Sequence, residues 1–163
     1  MALLMLAGFV VASCSGAKKG VCPRIAVLAQ AGELTQLSGG NGIGYTATMS
    51  DVRVECEYKT GDLQEMTADI STRFTVTKGP GMQGDTARFS YFVSVTDRRG
   101  NVLNKRVFPV TVNFRGRQSV TITDSSWQYY RLIRGGTGLA YEIWIGFQLN
   151  DAQLEYNRRK GIE

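Results

Sequence analysis

The sequence predicts an all-β fold, an antiparallel β-sandwich of immunoglobulin-like architecture with seven to eight strands and a short C-terminal helix. Three observations predict it. From Tyr45 onward, apolar and polar residues alternate with period two, the pattern of strands that bury one face. Clusters of Gly, Pro, Asn, Asp and Ser punctuate that alternation at strand-length intervals, as turns require. Helical periodicity is almost absent before the last fifteen or so residues.

The elements follow in order. Cys22, Pro23 and Arg24 lead into Ile25, Ala26, Val27 and Leu28, an apolar run short enough to be a strand buried on both faces. Between Gln36 and Gly44 the composition collapses, and Ser38, Gly39, Gly40, Asn41 and Gly42 read as a loop. Such closely spaced glycines also let a backbone approach a ligand, though they ordinarily only turn the chain. Val52, Val54, Cys56 and Tyr58 then alternate with Asp51, Arg53, Glu55, Glu57 and Lys59, which puts Cys56 on an apolar face. Ala68, Ile70, Thr72, Phe74 and Val76 form the next inward row, and a Gly/Pro turn spans Lys78 to Gly84.

Phe89, Tyr91, Val93 and Val95 share one face of a strand that ends in Asp97, Arg98, Arg99, Gly100 and Asn101. That turn, with Gly supplying a positive φ, predicts a hairpin to Val102 and Leu103. Phe108, Val110, Val112 and Phe114 continue the alternation, and Pro109, which cannot donate to a ladder, marks an edge or bulged position. Val120 and Ile122 predict a short strand that stops at Asp124, Ser125 and Ser126, followed by separate segments from Trp127 to Ile133 and Tyr141 to Leu149. In the last of these Trp144 falls on the face opposite Tyr141, Ile143, Ile145 and Phe147. Asn150 and Gln153 have capping-box spacing, and Arg158, Arg159 and Lys160 suit the negative end of a helix dipole.

The first residues are of another kind. The run from Ala2 to Ala12 carries no charge and ends in Val11, Ala12, Ser13, Cys14. It is too short to cross a bilayer as a helix, which takes about 20 residues. The quartet resembles the lipobox of bacterial lipoproteins: aliphatic, small, small, cysteine. This resemblance implies that residues 1–13 are a signal peptide removed on export and that Cys14 becomes a lipid-modified amino terminus. It departs from the usual pattern in lacking Lys or Arg before the apolar run. An ordinary cleaved signal and a buried amino-terminal segment are the alternative readings. Residues 14–21 read as a lipidated tether, in which Lys18 and Lys19 either sit near an anionic membrane or simply keep a linker solvated. Residues 22–163 then form a single sandwich domain. Ser15 is not the aspartate that resembles an inner-membrane retention signal, which favours the outer membrane.

With Cys14 assigned to lipid, Cys22 and Cys56 remain as an even pair in an exported chain, which predicts a disulfide, against the alternative of two buried thiols. The chain contains no histidine. This excludes Ser/His/Asp and Cys/His nucleophile pairs and leaves zinc poorly served. No metal, cofactor or catalytic residue is expected. Asp124 with Glu142 could in principle flank a glycosidic bond, but no spacing singles them out. From Cys22–Pro23–Arg24–Ile25–Ala26 to Glu155–Tyr156–Asn157–Arg158–Arg159 the chain resembles small envelope lipoproteins of Gram-negative bacteria, alphaproteobacteria in particular. That likeness implies location and no activity.

Charge offers the one pointer to a partner. Arg98, Arg99, Lys105, Arg106, Arg115 and Arg117 occur with no acidic residue among them, whereas Asp51, Glu55, Glu57, Asp62, Glu65 and Asp69 cluster earlier. Either these arms meet opposite charges on an envelope protein or a second copy, or they neutralise one another and keep strand edges soluble. Trp144 and the group Trp127, Tyr129, Tyr130 are either a stacking surface or core. The expected function is a non-enzymatic, lipid-anchored structural or interaction module of the cell envelope, facing the periplasm or the cell surface. The alternative is a module binding carbohydrate or another small ligand. An exported anchor puts nucleic acid out of reach.

Overall fold

The computed structural model describes residues 18–39, 42–59, 65–131 and 137–161. The signal-peptide and Cys14 assignments, most of the tether, and Gly40 and Asn41 of the glycine loop lie outside the described residues. The described residues form nine strands, one α-helix and two single-turn 3-10 helices, Ala29–Ala31 and Gly138–Ala140. The strands are β1 (Lys18–Lys19), β2 (Arg24–Val27), β3 (Glu33–Ser38), β4 (Gly42–Lys59), β5 (Glu65–Lys78), β6 (Thr86–Asp97), β7 (Val102–Asn113), β8 (Ser119–Arg131) and β9 (Tyr141–Phe147), and the helix is α1 (Asp151–Arg159).

Two sheets face each other. One is ordered β1-β4-β5-β8, with β3 also paired to β4, and the other is ordered β2-β9-β6-β7. The β-sandwich expected from the alternation is therefore borne out. All of its pairings are antiparallel except one: β2 runs parallel to β9, with Ile25 opposite Ile143 and Val27 opposite Ile145. A long connection makes this possible, because most of the chain intervenes between the two strands.

The inward rows are those the alternation marks. Met66, Ala68, Ile70, Thr72, Phe74 and Val76 of β5 are completely buried, and Tyr91, Val93 and Val95 face them from β6. At the centre the Phe74 ring packs 5.5 Å from Phe89, 5.1 Å from Tyr91 and 5.7 Å from Phe147, measured between ring centroids. These tilted contacts join the two sheets and add to the simple burial of aromatic area.

The long strand β4 changes face partway along. Tyr45 and Ala47 point inward in its first half, but Cys56 does so in its second. The register jumps between Ser50, opposite Arg73, and Arg53, opposite Ser71, so three residues are spanned against two. Such a bulge shifts the period-two pattern by one residue. Asp51 takes the left-handed conformation there, with φ of 50°, and its carboxylate accepts from Arg53 at 3.0 Å and Arg73 at 2.9 Å.

Three boundaries differ from the sequence reading. The stretch Gln36 to Gly44 is mostly strand: β3 continues to Ser38 and β4 begins at Gly42. A Gly-rich composition hid this pairing. Asp124, Ser125 and Ser126 do not end a strand, and β8 runs unbroken for 13 residues. Asp124 is tolerated because its Oδ2 accepts a hydrogen bond from Tyr91 Oη at 2.8 Å, which satisfies a polar group turned toward the interior. Leu149 lies beyond the last strand, which closes at Phe147.

The helix forms as its caps dictate. Asn150 accepts from Gln153 N–H, and Gln153 returns the bond to Asn150 N–H, a complete capping box. Asn157, fully buried, donates through Nδ2 to the carbonyls of Gln30 at 3.0 Å and Glu33 at 2.8 Å. Lys160 pairs with Glu33 beside it. These contacts fasten α1 over the turn that precedes β3.

Candidate functional site

Cys22 and Cys56 are joined in a disulfide with a Cα–Cα distance of 5.4 Å. It ties the segment leading into β2 to the far half of β4, and so links one sheet to the other near one end of the sandwich. The same bulge that turns Cys56 inward turns Glu55 and Glu57 outward, and the pairing across β4, β5 and β8 then builds an exposed strip. Glu55 stands beside Asp69, and Asp69 beside Trp127; in the next row Glu57, Thr67 and Tyr129 are neighbours.

Trp127 is 60% exposed and Tyr129 is 40% exposed, and their rings stack at 6.5 Å. Residues Glu55, Glu57, Thr67, Asp69 and Trp127 line a shallow depression of about 190 Å³. A hydrogen bond to Glu65 raises the Tyr129 phenol above its ordinary range. Flat π faces beside carboxylate acceptors form a surface that can stack on a ring or a cation while accepting hydrogen bonds. The sequence reading grouped Tyr130 with Trp127 and Tyr129, but Tyr130 is buried. Carrying the Val120–Ile122 alternation through Asp124 would have separated them, since even positions face in and odd positions face out.

Trp144 does not join this surface. It lies half-buried on the outer face of the other sheet, between Ala26 of β2 and Ser94 of β6. Nearby on that face, Leu28, Ala31, Phe92, Gln148, Leu149 and Leu154 line an apolar cleft of about 440 Å³ between β6, β9 and the start of α1.

The six basic residues do not form one patch. Arg98 and Arg99 occupy the turn before β7, and Arg115 and Arg117 the turn after it; twelve residues of strand separate those turns by about 40 Å. Lys105 and Arg106 are adjacent in β7 and therefore point to opposite faces. Lys105 Nζ lies 4.4 Å from the centre of the Phe92 ring, and Arg106 lies 5.8 Å from that of Phe108. Arg98 Nε donates to the Leu139 carbonyl at 3.1 Å. Among the described residues none of the six is in an ion pair.

Among the described residues β1, β2, β3, β7 and β8 each pair on one side only, and of these β7 and β8 are the long ones. Pro109 sits exposed on β7, consistent with an edge position. β8 contains no Pro or Lys, two residues that commonly blunt an open edge, and its inward-turned Asp124 is the one device of that kind it carries. Asp124 and Glu142 lie on different sheets, one turned to the interior and the other outward, so no carboxylate pair is assembled from them. Among the described residues no helix is long and apolar enough to cross a membrane, and no three Cys, Asp or Glu residues are grouped as a metal site.

The fold and these surfaces define a disulfide-linked β-sandwich domain with open strand edges. No family model, no curated protein and no solved structure matches the chain significantly.

Proposed function

We propose that this chain is a lipid-anchored envelope protein, an outer-membrane lipoprotein held through Cys14, that serves as a non-enzymatic interaction module within a larger envelope assembly. The open edge of β8 is the observation that carries the interaction. Lys78 N donates to Gln118 O at 2.9 Å across the β5–β8 pair. Because successive residues of an antiparallel strand direct their backbone groups to alternate sides, the N–H and C=O of Thr121, Thr123, Ser125, Trp127 and Tyr129 face away from β5. A partner strand laid along them would gain main-chain hydrogen bonds for affinity, and Trp127 and Tyr129 beside it would supply side-chain selectivity.

Affinity capture from detergent-solubilised envelope tests this reading. The wild-type chain is expected to retain an envelope protein in fixed ratio, and Ser125→Pro, which deletes one outward N–H without touching the ladder to β5, is expected to release it. Capture unaffected by Ser125→Pro would refute the β8 edge as the contact. For the anchor, intact mass of the membrane-extracted protein is expected to show loss of residues 1–13 with acyl chains on Cys14.

The stacked Trp127–Tyr129 pair beside Glu55 and Asp69 favours a second reading, a carbohydrate-binding module. On a glycan array, binding abolished by Trp127→Ala but retained in Ser125→Pro would select it over the first.

A further inference from the structure

The geometry points to a membrane-docking surface at one end of the sandwich, formed by Arg98, Arg99, Val102, Leu103, Leu139 and Val21, with anionic lipid headgroups as its ligand. This inference rests on the lipid-anchor reading above, since it concerns how the anchored domain would sit. β1 is antiparallel to β4, with Lys18 opposite Tyr58 and Lys19 opposite Glu57. The direction from Lys19 to Lys18 therefore points toward the end at which β4 finishes, and the 17 residues that precede Lys18 join the domain there.

Hydrogen bonds between its segments make that end a continuous surface. Tyr58 Oη donates to the Val21 carbonyl and accepts from Gly138 N–H at 3.0 Å. Leu139 follows Gly138 and gives its carbonyl to Arg98, and Thr96 next to that turn pairs with Val102. Of the nine exposed large apolar residues described, four are here: Val21 at 59%, Val102 at 64%, Leu103 at 54% and Leu139 at 50%. The opposite end also carries two arginines, Arg115 and Arg117, but its one exposed residue of this kind is Leu37. Among the described residues the acidic groups near the arginines include Asp97, Glu65 and Glu142, the last standing between Arg24 and Thr96. Asp97 turns its carboxylate into its own turn, accepting from Arg99 N, Asn101 N and Asn101 Nδ2, and Glu65 stands between Lys59 and Arg131.

Apolar side chains ringed by arginine suit the boundary between headgroups and acyl chains. The former enter the interface while guanidinium groups reach phosphates from the side. One lipid tether gives position without orientation, and a second contact of this kind fixes the tilt. β7 and β8 then stand away from the bilayer with their edges open sideways.

The test uses the mature chain carrying Cys14→Ser, so that no lipid is attached, with vesicles of phosphatidylglycerol and phosphatidylcholine or of phosphatidylcholine alone. Sedimentation is expected to show binding to the anionic vesicles only, weakened by about tenfold or more in Arg98→Glu/Arg99→Glu. Leu139→Asp is expected to weaken it similarly, and Arg115→Glu/Arg117→Glu, an equal change of charge at the other end, is expected to leave it near the parent value. In Leu139→Trp, brominated lipid is expected to quench the added fluorescence. Equal loss in the two arginine pairs, or no binding to anionic vesicles, would overturn the proposal. So would a Leu139→Asp protein that binds vesicles normally but no longer captures an envelope protein. Because the protein tested has no acylation site, its result is independent of the mass measurement on Cys14, and either idea can fail alone.

Discussion

Tyr91 of β6 and Asp124 of β8 bridge the two sheets through a single hydrogen bond, 2.8 Å from Tyr91 Oη to Asp124 Oδ2. Burial, and then the neighbouring carboxylate, hold the Tyr91 phenol well above its ordinary range, so the hydroxyl stays a donor at any physiological pH. Removing its acceptor leaves a buried hydroxyl without that partner, at a cost of about 1–3 kcal/mol. The double variant Tyr91→Phe/Asp124→Ala is therefore expected to lose less stability in urea than the sum of the two single variants. A double-mutant cycle measures the coupling, and additive single effects would show the bridge to be energetically silent.

The Cys22–Cys56 bond closes a loop of 34 residues' separation. On the chain-entropy argument a loop of that size contributes about 4 kcal/mol. Cys22→Ala with Cys56→Ala is expected to reduce unfolding free energy by roughly that amount, and non-reducing peptide mapping of the wild type is expected to recover the linked pair. Ready alkylation of both thiols without reductant would contradict it.

Acid is expected to weaken the fold through two turn carboxylates. Lys78 Nζ, 2.6 Å from Asp85 Oδ1, and the Gly116 N–H hold Asp85 below its ordinary pKa of 3.8. The Asn101 side chain and backbone do the same for Asp97. A depressed folded-state pKa means that the unfolded chain binds protons first, so these contributions are complete above the unfolded value and fade as pH drops through the folded one. Urea midpoints taken between about pH 5 and 2 should fall less steeply in Asp85→Asn than in wild type. An unchanged slope would place the acid sensitivity elsewhere.

The buried amide of Asn157 is central to the docking of α1. Asn157 Nδ2 supplies both bonds to the Gln30 and Glu33 carbonyls. Asn157→Leu, which keeps bulk but leaves those acceptors unmet, is expected to speed hydrogen exchange in α1 and in residues 29–33 by about tenfold or more while β5 and β6 stay protected. Asn150→Ala, costing about 1 kcal/mol at the cap, is expected to loosen the helix alone.

Much of this was legible in the residues because one-sided burial writes itself as alternation. Ala68 to Val76 and Phe89 to Val95 could be assigned to an interior face without coordinates, and Asn150 with Gln153 announced the helix start. Legibility failed where a tertiary partner overrides local chemistry. Asp124 looks like a strand terminator until Tyr91 is known to satisfy it, and Gly42 and Gly44 look like loop until β3 is known to pair there. The surface was harder still. Trp127 and Trp144 are equally apolar in sequence, and only sheet order separates an exposed ring from a half-covered one. The six cations follow one another in the chain with no acidic residue between them, yet an extended strand pulls the outer pairs far apart.

The extra residue in β4 reaches beyond local geometry. Were Asp51 deleted, every later side chain of that strand would exchange sides: Glu55 and Glu57 would be driven among Phe and Ile, while the sulfur at Cys56 would look out to solvent, away from its mate. The native crosslink thus hinges on a single count in the backbone.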